Sequence, residues 1–306
     1  MVVPSSKVAS VFRAGLFKDR VAIVTGGGTG IGKAIALELL YLGCKVMIAS
    51  RKTEQLEKAS VEMCKQIDRQ GRGPAQLHHV QCNIRKEEQV KNLMSETLST
   101  YGKIDFLVNN GGGQFPSAAA NISLKGWNAV VETNLTGTFL CCREVYNQWM
   151  QEHGGIIVNI IADMWKGFPS MSHTGAARSA VDNLTKSLAI EWAADGVRVN
   201  SVAPGSSIYS ETAAANYGDS NIFSRNIPSV PAKRLGTTEE VSAAVCFLLS
   251  PAASFISGET LKVDAGSSIY PSMTWTIPEH KKLPAYRWDD DDDSTSGSQN
   301  TPKSKL

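Results

Sequence analysis

This sequence predicts an α/β fold: a single Rossmann-type, doubly wound parallel sheet of about seven strands with helices on both faces. Three observations predict it. Short apolar, β-branched runs alternate with longer helical ones, the order that implies parallel strands joined by right-handed crossovers. The first run ends in a cluster of glycines that opens a helix. The 306 residues show no internal repeat and no mid-chain linker, so one large domain accommodates the pattern.

The first strand, Val21 to Thr25, runs into Gly26-Gly27-Gly28-Thr29-Gly30-Ile31-Gly32 and then the helical pattern Lys33 to Leu40. Glycines permit a tight turn and close backbone approach, so the helix N-terminus, with unpaired N–H groups, can take a pyrophosphate. Thr25, Gly26, Thr29, Gly30, Ile31 and Gly32 are therefore candidate cofactor residues. The spacing Thr-Gly-x-x-x-Gly-x-Gly resembles that of the short-chain dehydrogenase/reductase family, and the resemblance extends over about residues 18–268. A second strand, Lys45 to Ser50, ends in Arg51-Lys52. An acidic residue there would accept from a ribose 2′-hydroxyl, whereas a basic pair neutralises a 2′-phosphate; the expected cofactor is NADP(H), the alternative a merely solvated loop.

A polar helix, Thr53 to Arg69, leads through Gly71 and Gly73 to the strand Leu77 to Cys82. The resemblance implies that the following pair, Asn83-Ile84, cradles adenine, with Asn83 bonding the base edge. A helix from Glu87 to Tyr101 and a strand from Ile104 to Val108 precede Asn109-Asn110-Gly111-Gly112-Gly113. This matches the family's Asn-Asn-Ala-Gly turn and adds Asn110, Gly111 and Gly112 to the cofactor set. Asn134, in the next helix, is implied to lie beneath the active site, distorting its helix and holding a water; the alternative is an ordinary helix-interior asparagine. The strand Ile156 to Ile160, a long helix Gly175 to Ala194 and the strand Val197 to Val202 lead to Ala203-Pro204-Gly205. Pro204 and Gly205 resemble the nicotinamide-side loop. Residues 206–234, polar with few helix signals, are expected to form a substrate lid. A capped helix from Thr237 to Leu249 and a strand from Thr260 to Asp264 end the domain. Residues 1–17 and 269–288 read as terminal extensions.

The reaction centre departs from the family. Aligning Ala180 to Ala189 with the common helix puts Arg178 at the family's Lys position and Thr174 at its Tyr position, while the Ser position falls on Ile161 or Ala162. Reducing a carbonyl leaves an alkoxide that needs a placed acid, so this triple replacement argues against alcohol or ketone chemistry. Conjugate reduction of an enoyl thioester is less demanding: hydride arrives at Cβ, charge develops on the thioester oxygen where donors stabilise it, and water can protonate Cα. The runs Asn109 to Phe115 and His173 to Arg178, with the Ser-Lys-Leu end, are similar to the peroxisomal trans-2-enoyl-CoA reductases of the family, with the 2,4-dienoyl-CoA reductases close behind. NADPH-dependent reduction of a trans-2-enoyl-CoA is the expected activity. Dienoyl-CoA reduction, an inactive NADP-binding pseudoenzyme and carbonyl reduction are the alternatives.

Asn134, Asp163 and Arg178 are the candidate catalytic residues. Arg178 keeps a ribose-clamping, cationic role but stays charged and cannot act as a base. Asp163 lies 15 residues before Arg178 and is expected to donate a proton or bond the thioester oxygen if desolvated; otherwise it is a solvated loop or turn-capping residue. Asp182 is expected to pair with Arg178 and Lys186 at helical spacing. Lys166, Arg225, Lys233 and Arg234 are available for the phosphates of the acyl-CoA substrate.

Composition excludes other classes. Apolar content is 42%, charged content 20%, and 31 basic against 29 acidic residues leave +2, which makes no case for nucleic-acid binding. No apolar stretch reaches the roughly 18 residues of a membrane span, and no signal peptide is expected from Met1 to Lys18. The six cysteines lack a Cys-x-x-Cys pair and read as reduced core thiols; His78 and His79 lack ligand partners, so no metal site is expected. After Trp288, five aspartates and a Ser/Thr/Gly-rich run predict a disordered tail over 289–306. It ends in Ser304-Lys305-Leu306, a peroxisomal address for the import receptor. A homo-oligomer built through the helix from Gly175 is a further implication of the family resemblance.

Overall fold

The structure, a computed structural model, describes residues 8–70, 74–210, 212–214, 222–270 and 274–288. The tail with Ser304-Lys305-Leu306, residues 71–73, and 211 and 215–221 of the expected lid lie outside the described residues. Seven parallel strands form one sheet in the order β3-β2-β1-β4-β5-β6-β7. They are β1 (Val21–Thr25), β2 (Lys45–Ser50), β3 (Leu77–Gln81), β4 (Phe106–Asn109), β5 (Gly155–Ile160), β6 (Val197–Pro204) and β7 (Thr260–Val263). The chain winds outward from β1 to β3, then returns to lay β4 on the other side of β1. That reversal opens a crevice at the carboxyl ends of β1 and β4, where such folds place ligands.

Helices cover both faces. α1 (Gly30–Tyr41), α2 (Thr53–Asp68) and the late helix Thr238–Leu249 pack on one, and α3 (Glu87–Tyr101) on the other. The run from Leu124 to His153 comprises α4 (Leu124–Val131), α5 (Gly137–Val145) and α6 (Gln151–His153), joined by π-helical turns at Glu132–Thr136 and Tyr146–Met150. α7 is Ser172–Glu191, starting three residues before the expected Gly175 and ending before Ala194. α8 (Ile222–Asn226) lies within the expected lid, and the late helix is α9. Its start matches expectation, with Thr237 and Glu240 closing a reciprocal capping box.

Alternation along the strands divides the core: Ala22 and Val24 face one cluster with Ile35, Leu39 and Leu56, and Ile23 faces the other with Leu93, Met94 and Val145. Each fully buried Leu or Ile stabilises the fold by about 1.5–3 kcal/mol. Both flanking segments join the first cluster. Phe17 sets its ring edge-on to Phe106 at 5.3 Å, and Trp288 is buried. The Tyr286 hydroxyl accepts from the Val11 N–H at 3.0 Å and donates to the Ala9 carbonyl at 3.2 Å, tying the two ends of the chain together.

Candidate active site

The phosphate loop is built where β1 stops. Thr25 Oγ1 accepts the N–H groups of Asn110 (3.0 Å) and Gly111 (2.9 Å), and Asn110 Nδ2 returns bonds to the Thr25 and Gly26 carbonyls. These bonds lash the turn after β4 to the end of β1. A Cβ on Gly32 would stand 2.3 Å from the Gly26 oxygen, and Gly26 and Gly30 have φ of 67° and 51°, so side chains are shut out. Thr29 is the N-cap of α1 yet makes no side-chain cap, and the first turn carries no acid. The helix N–H groups are thus presented outward, which fits a dinucleotide pyrophosphate.

Arg51 and Lys52 stand exposed at the end of β2. Asn83 is partly engaged elsewhere: its Oδ1 accepts from the Arg85 N–H at 3.2 Å, capping its own turn. Ile84, expected beside the base, also packs as a wedge against two glycines. Its Cγ1 lies 2.7 Å from the point a Gly137 Cβ would occupy and its Cδ1 3.1 Å from that of Gly111.

On the other side of the loop a cleft of about 310 Å³ runs past Asn110, Gly112, Gln114, Asp163, Arg178 and Gly205. Asn134 organises its floor. It is fully buried within the π-helical turn Glu132–Thr136, the distortion expected of it. Its Oδ1 accepts from the Gly113 N–H at 2.9 Å; its Nδ2 donates to the Gly113 carbonyl at 2.9 Å and to Thr174 Oγ1 at 2.8 Å. The Thr174 hydroxyl donates onward to Gln114 Oε1 at 3.3 Å. Arg178 is buried, and its Nη1 donates to the Ile160 carbonyl. Its Nη2 fills the space a Gly112 side chain would need, 2.2 Å from an ideal Cβ.

Asp163 leaves β5 beside Pro204, whose carbonyl accepts its N–H at 3.2 Å. One carboxyl oxygen, Oδ1, is shut from solvent with no hydrogen-bond partner among the described residues. Burial, and then the negative charge of Asp264, push the Asp163 carboxyl above its ordinary range, against the opposing effect of Lys262, Lys166 and the Trp165 N–H. It is half-buried, and its bond from the Trp165 N–H is the turn-capping contact of the alternative reading. At Asp264 burial works upward too, but bonds from Ser268 and Gly266 and the charge of Lys262 prevail and hold it below the usual range. The two carboxyls are pushed apart, one toward the protonated form and one toward the charged form.

A family model described as enoyl-(acyl carrier protein) reductase matches residues 26–268, most of the chain and this site apart from Thr25. The chain belongs to the short-chain dehydrogenase/reductase family. A peroxisomal 2,4-dienoyl-CoA reductase of Danio rerio, of the (3E)-enoyl-CoA-producing type, is 35% identical over 263 residues, covering 86% of each chain. A probable 2,4-dienoyl-CoA reductase of Bacillus subtilis is 34% identical, over 83% of this chain and 98% of its own. The solved structure of the citronellol catabolism dehydrogenase of Pseudomonas aeruginosa PAO1 superposes with a TM-score of 0.74 and 46% identity, covering 85% of this chain and 99% of that one. The family's cofactor is a nicotinamide dinucleotide, and the cradle described above fits it.

Thr174, expected at the family's Tyr position, has its hydroxyl held as a strut between Asn134 and Gln114. Asp182 pairs with Lys186 as expected and accepts from Thr260 Oγ1 at 2.6 Å, whereas Arg178 turns to Ile160. The cations proposed for CoA phosphates are partly engaged. Arg234 pairs with Glu240 at 2.6 Å and bonds the Leu283 and Pro284 carbonyls; Lys166 bonds those of Ser267 and Tyr270, and Lys233 that of Pro228. Arg234 is therefore a clamp on the returning C-terminal segment, because its guanidinium is saturated within the fold.

Among the described residues no group of three or more His, Cys, Asp or Glu is placed to hold a metal. The six cysteines are free thiols; burial pushes Cys82 up to about 11 and Cys142 up to about 12. No described helix is long and apolar enough to cross a membrane. Sequence reasoning missed Asp264 and Gln114 as parts of the site. The run Val263-Asp264-Ala265-Gly266 held a clue, since a carboxylate before a turn caps its N–H groups, as the Gly266 (3.0 Å) and Ser268 (2.8 Å) bonds show.

Proposed function

We propose that the protein is an NADPH-dependent enoyl-CoA reductase that saturates the 2,3 double bond of a trans-2-enoyl-CoA. The observation that carries this reading is the half-buried Asp163 carboxyl, with its unpartnered Oδ1, lining one cleft with Arg178. When bound, the nicotinamide supplies hydride to Cβ of the thioester. The chain supplies the rest. The α1 N-terminus holds the pyrophosphate, Arg51 and Lys52 meet the 2′-phosphate, and Asn110, Pro204 and Gly205 edge the nicotinamide side. Arg178, permanently charged, steadies the nicotinamide ribose and the negative charge developing at the thioester oxygen. Asp163, its carboxyl pushed above the ordinary range by burial and then by Asp264, delivers the proton to Cα from its protonated form, and the resulting carboxylate is recharged from water.

A second reading has specific support. The curated relatives named above are dienoyl-CoA reductases. In a reduction that yields a (3E)-enoyl-CoA, the type named for the Danio rerio relative, a 2,4-dienoyl thioester would use the same residues, with hydride arriving two carbons further along and the proton still at Cα. The Ser304-Lys305-Leu306 end and the peroxisomal relatives support work in the peroxisomal matrix. The deciding assay follows oxidation of NADPH and NADH with trans-2-decenoyl-CoA and with a 2,4-dienoyl-CoA. Turnover of the simple ester with NADPH preferred supports the first reading, and turnover of the diene alone supports the second. NADPH binding without turnover of either leaves a cofactor-binding pseudoenzyme.

A further inference from the structure

A second cleft, of about 660 Å³, backs onto the phosphate loop between α1, α2, the start of α9 and the returning C-terminal segment. It shares Thr29, Gly30, Ser210 and Thr212 with the active-site cleft, so the loop and Ser210 form a common wall. Five cations line it, Lys33, Lys58, Lys65, Arg69 and Arg287, against two acids, Glu62 and Glu239. Lys33 hydrogen-bonds Glu62 at 2.5 Å; that bond and the charges of Lys33, Lys58 and Lys65 outweigh burial and hold the Glu62 carboxyl below its usual range. Lys58, Lys65, Arg69 and Arg287 form no salt bridge among the described residues. The local surplus exceeds the +2 of the whole chain, and a cleft of one sign focuses its field on an anion. Beneath the charges the floor is apolar, with Ala34, Leu37 and Ala59. Arg287 arrives from beyond residues 26–268, the span the family model matches.

We propose that this cleft is a phosphomonoester site that takes the ribose phosphate of a phosphoadenosine ligand. A monoester phosphate carries about −1.5 to −2 charges near neutrality and three strong acceptor oxygens, which suits several cations that have no carboxylate partner. The volume lies within the roughly 300–1,000 Å³ of small-molecule sites. Two ligands of the proposed reaction end in this chemistry; the 2′-phosphate of NADP(H) is met by Arg51 and Lys52, which leaves the 3′-phosphate of coenzyme A for this cleft. The inference rests on that proposed reaction. Arg51 and Lys52, exposed at the end of β2, do not line the cleft.

The test is titration of the full chain with adenosine 2′,5′-bisphosphate, adenosine 3′,5′-bisphosphate and 5′-AMP. Adenosine 3′,5′-bisphosphate is expected to bind about tenfold more tightly than AMP, with the advantage falling as salt screens the cations. The double variant Lys58→Gln/Lys65→Gln, made on exposed side chains, and Arg287→Gln should each cut that advantage at least about threefold while leaving AMP unchanged. A preference for the 3′-ester that falls in the double variant supports the site, whereas a preference for the 2′-ester alone is what Arg51 and Lys52 supply and overturns it. An advantage that survives the double variant but disappears in Arg51→Ser overturns it, as does the absence of any advantage over AMP. Enoyl-CoA turnover without a bisphosphate advantage sinks the cleft alone. A bisphosphate advantage without turnover sinks the activity alone.

Discussion

Asn134 donates through Nδ2 to Oγ1 of Thr174 at 2.8 Å, with both side chains fully buried. Thr174 stands where the family resemblance expects a tyrosine acid, and this bond makes its hydroxyl part of the scaffold. An aliphatic hydroxyl used as a strut has neither the reach nor the acidity to protonate a substrate.

Thr174→Val should therefore lower turnover by less than about threefold, because Asn134 keeps both bonds to Gly113 and a single lost hydrogen bond costs about 0.5–1.5 kcal/mol. Asn134→Ala removes the hub itself and should cost about 1–3 kcal/mol in unfolding experiments while lowering kcat more than the Thr174 variant does. Equal turnover losses in the two would contradict the assignment.

Asp163→Asn should lower kcat by about 100-fold or more with KM little changed, the range for a positioned general acid. The wild-type rate should fall as pH rises through the elevated Asp163 value, since only the protonated form donates. A pH–rate profile whose basic limb persists in the variant would assign the proton to water.

Gly112→Ala places a methyl 2.2 Å from Arg178 Nη2. The guanidinium must move, so the KM for NADPH should rise about tenfold while melting shifts little, because a flexible side-chain end gives way before the backbone. Arg178→Lys, which keeps the charge but loses the fork, should fall between wild type and Arg178→Met.

Glu38 is fully buried, accepting from Ser10 Oγ at 2.6 Å and from Ser242 Oγ. Burial, aided by the charge of Glu239, raises its carboxyl above 4.5 despite the bonds from Ser10, Ser242 and Cys246. A folded value above the unfolded one means that the folded state holds the proton more tightly. The contribution to stability is complete below 4.5 and is lost as pH rises through the folded value. Chemical denaturation across that window should show wild-type stability declining relative to Glu38→Gln, and parallel curves would refute this.

Much of the architecture was legible in the sequence because it rests on local rules. The strand–glycine–helix run of residues 21–41, the α3 boundaries and the Thr237–Glu240 capping box depend on period, backbone freedom and side chains three residues apart. The end of α7 was misplaced because its polar and apolar residues continue past Glu191 into a separate turn at Ala193–Asp195. The resemblance likewise anticipated the distorted helix at Asn134.

The sequence by itself determined the order of strands and helices and the phosphate loop, since each is written in contiguous residues. Only the tertiary structure decided which side chains are committed and which are available. Arg234 becomes a clamp because Glu240 and the carbonyls of Leu283 and Pro284 meet there, and Ile84 a wedge because Gly111 and Gly137 leave it room. The Asp163 carboxyl is pushed above its ordinary range because folding buries it and then because β7 ends by bringing Asp264 near it. The field and solvation at a carboxyl are set by groups a hundred residues away along the chain, and folding alone brings those groups together.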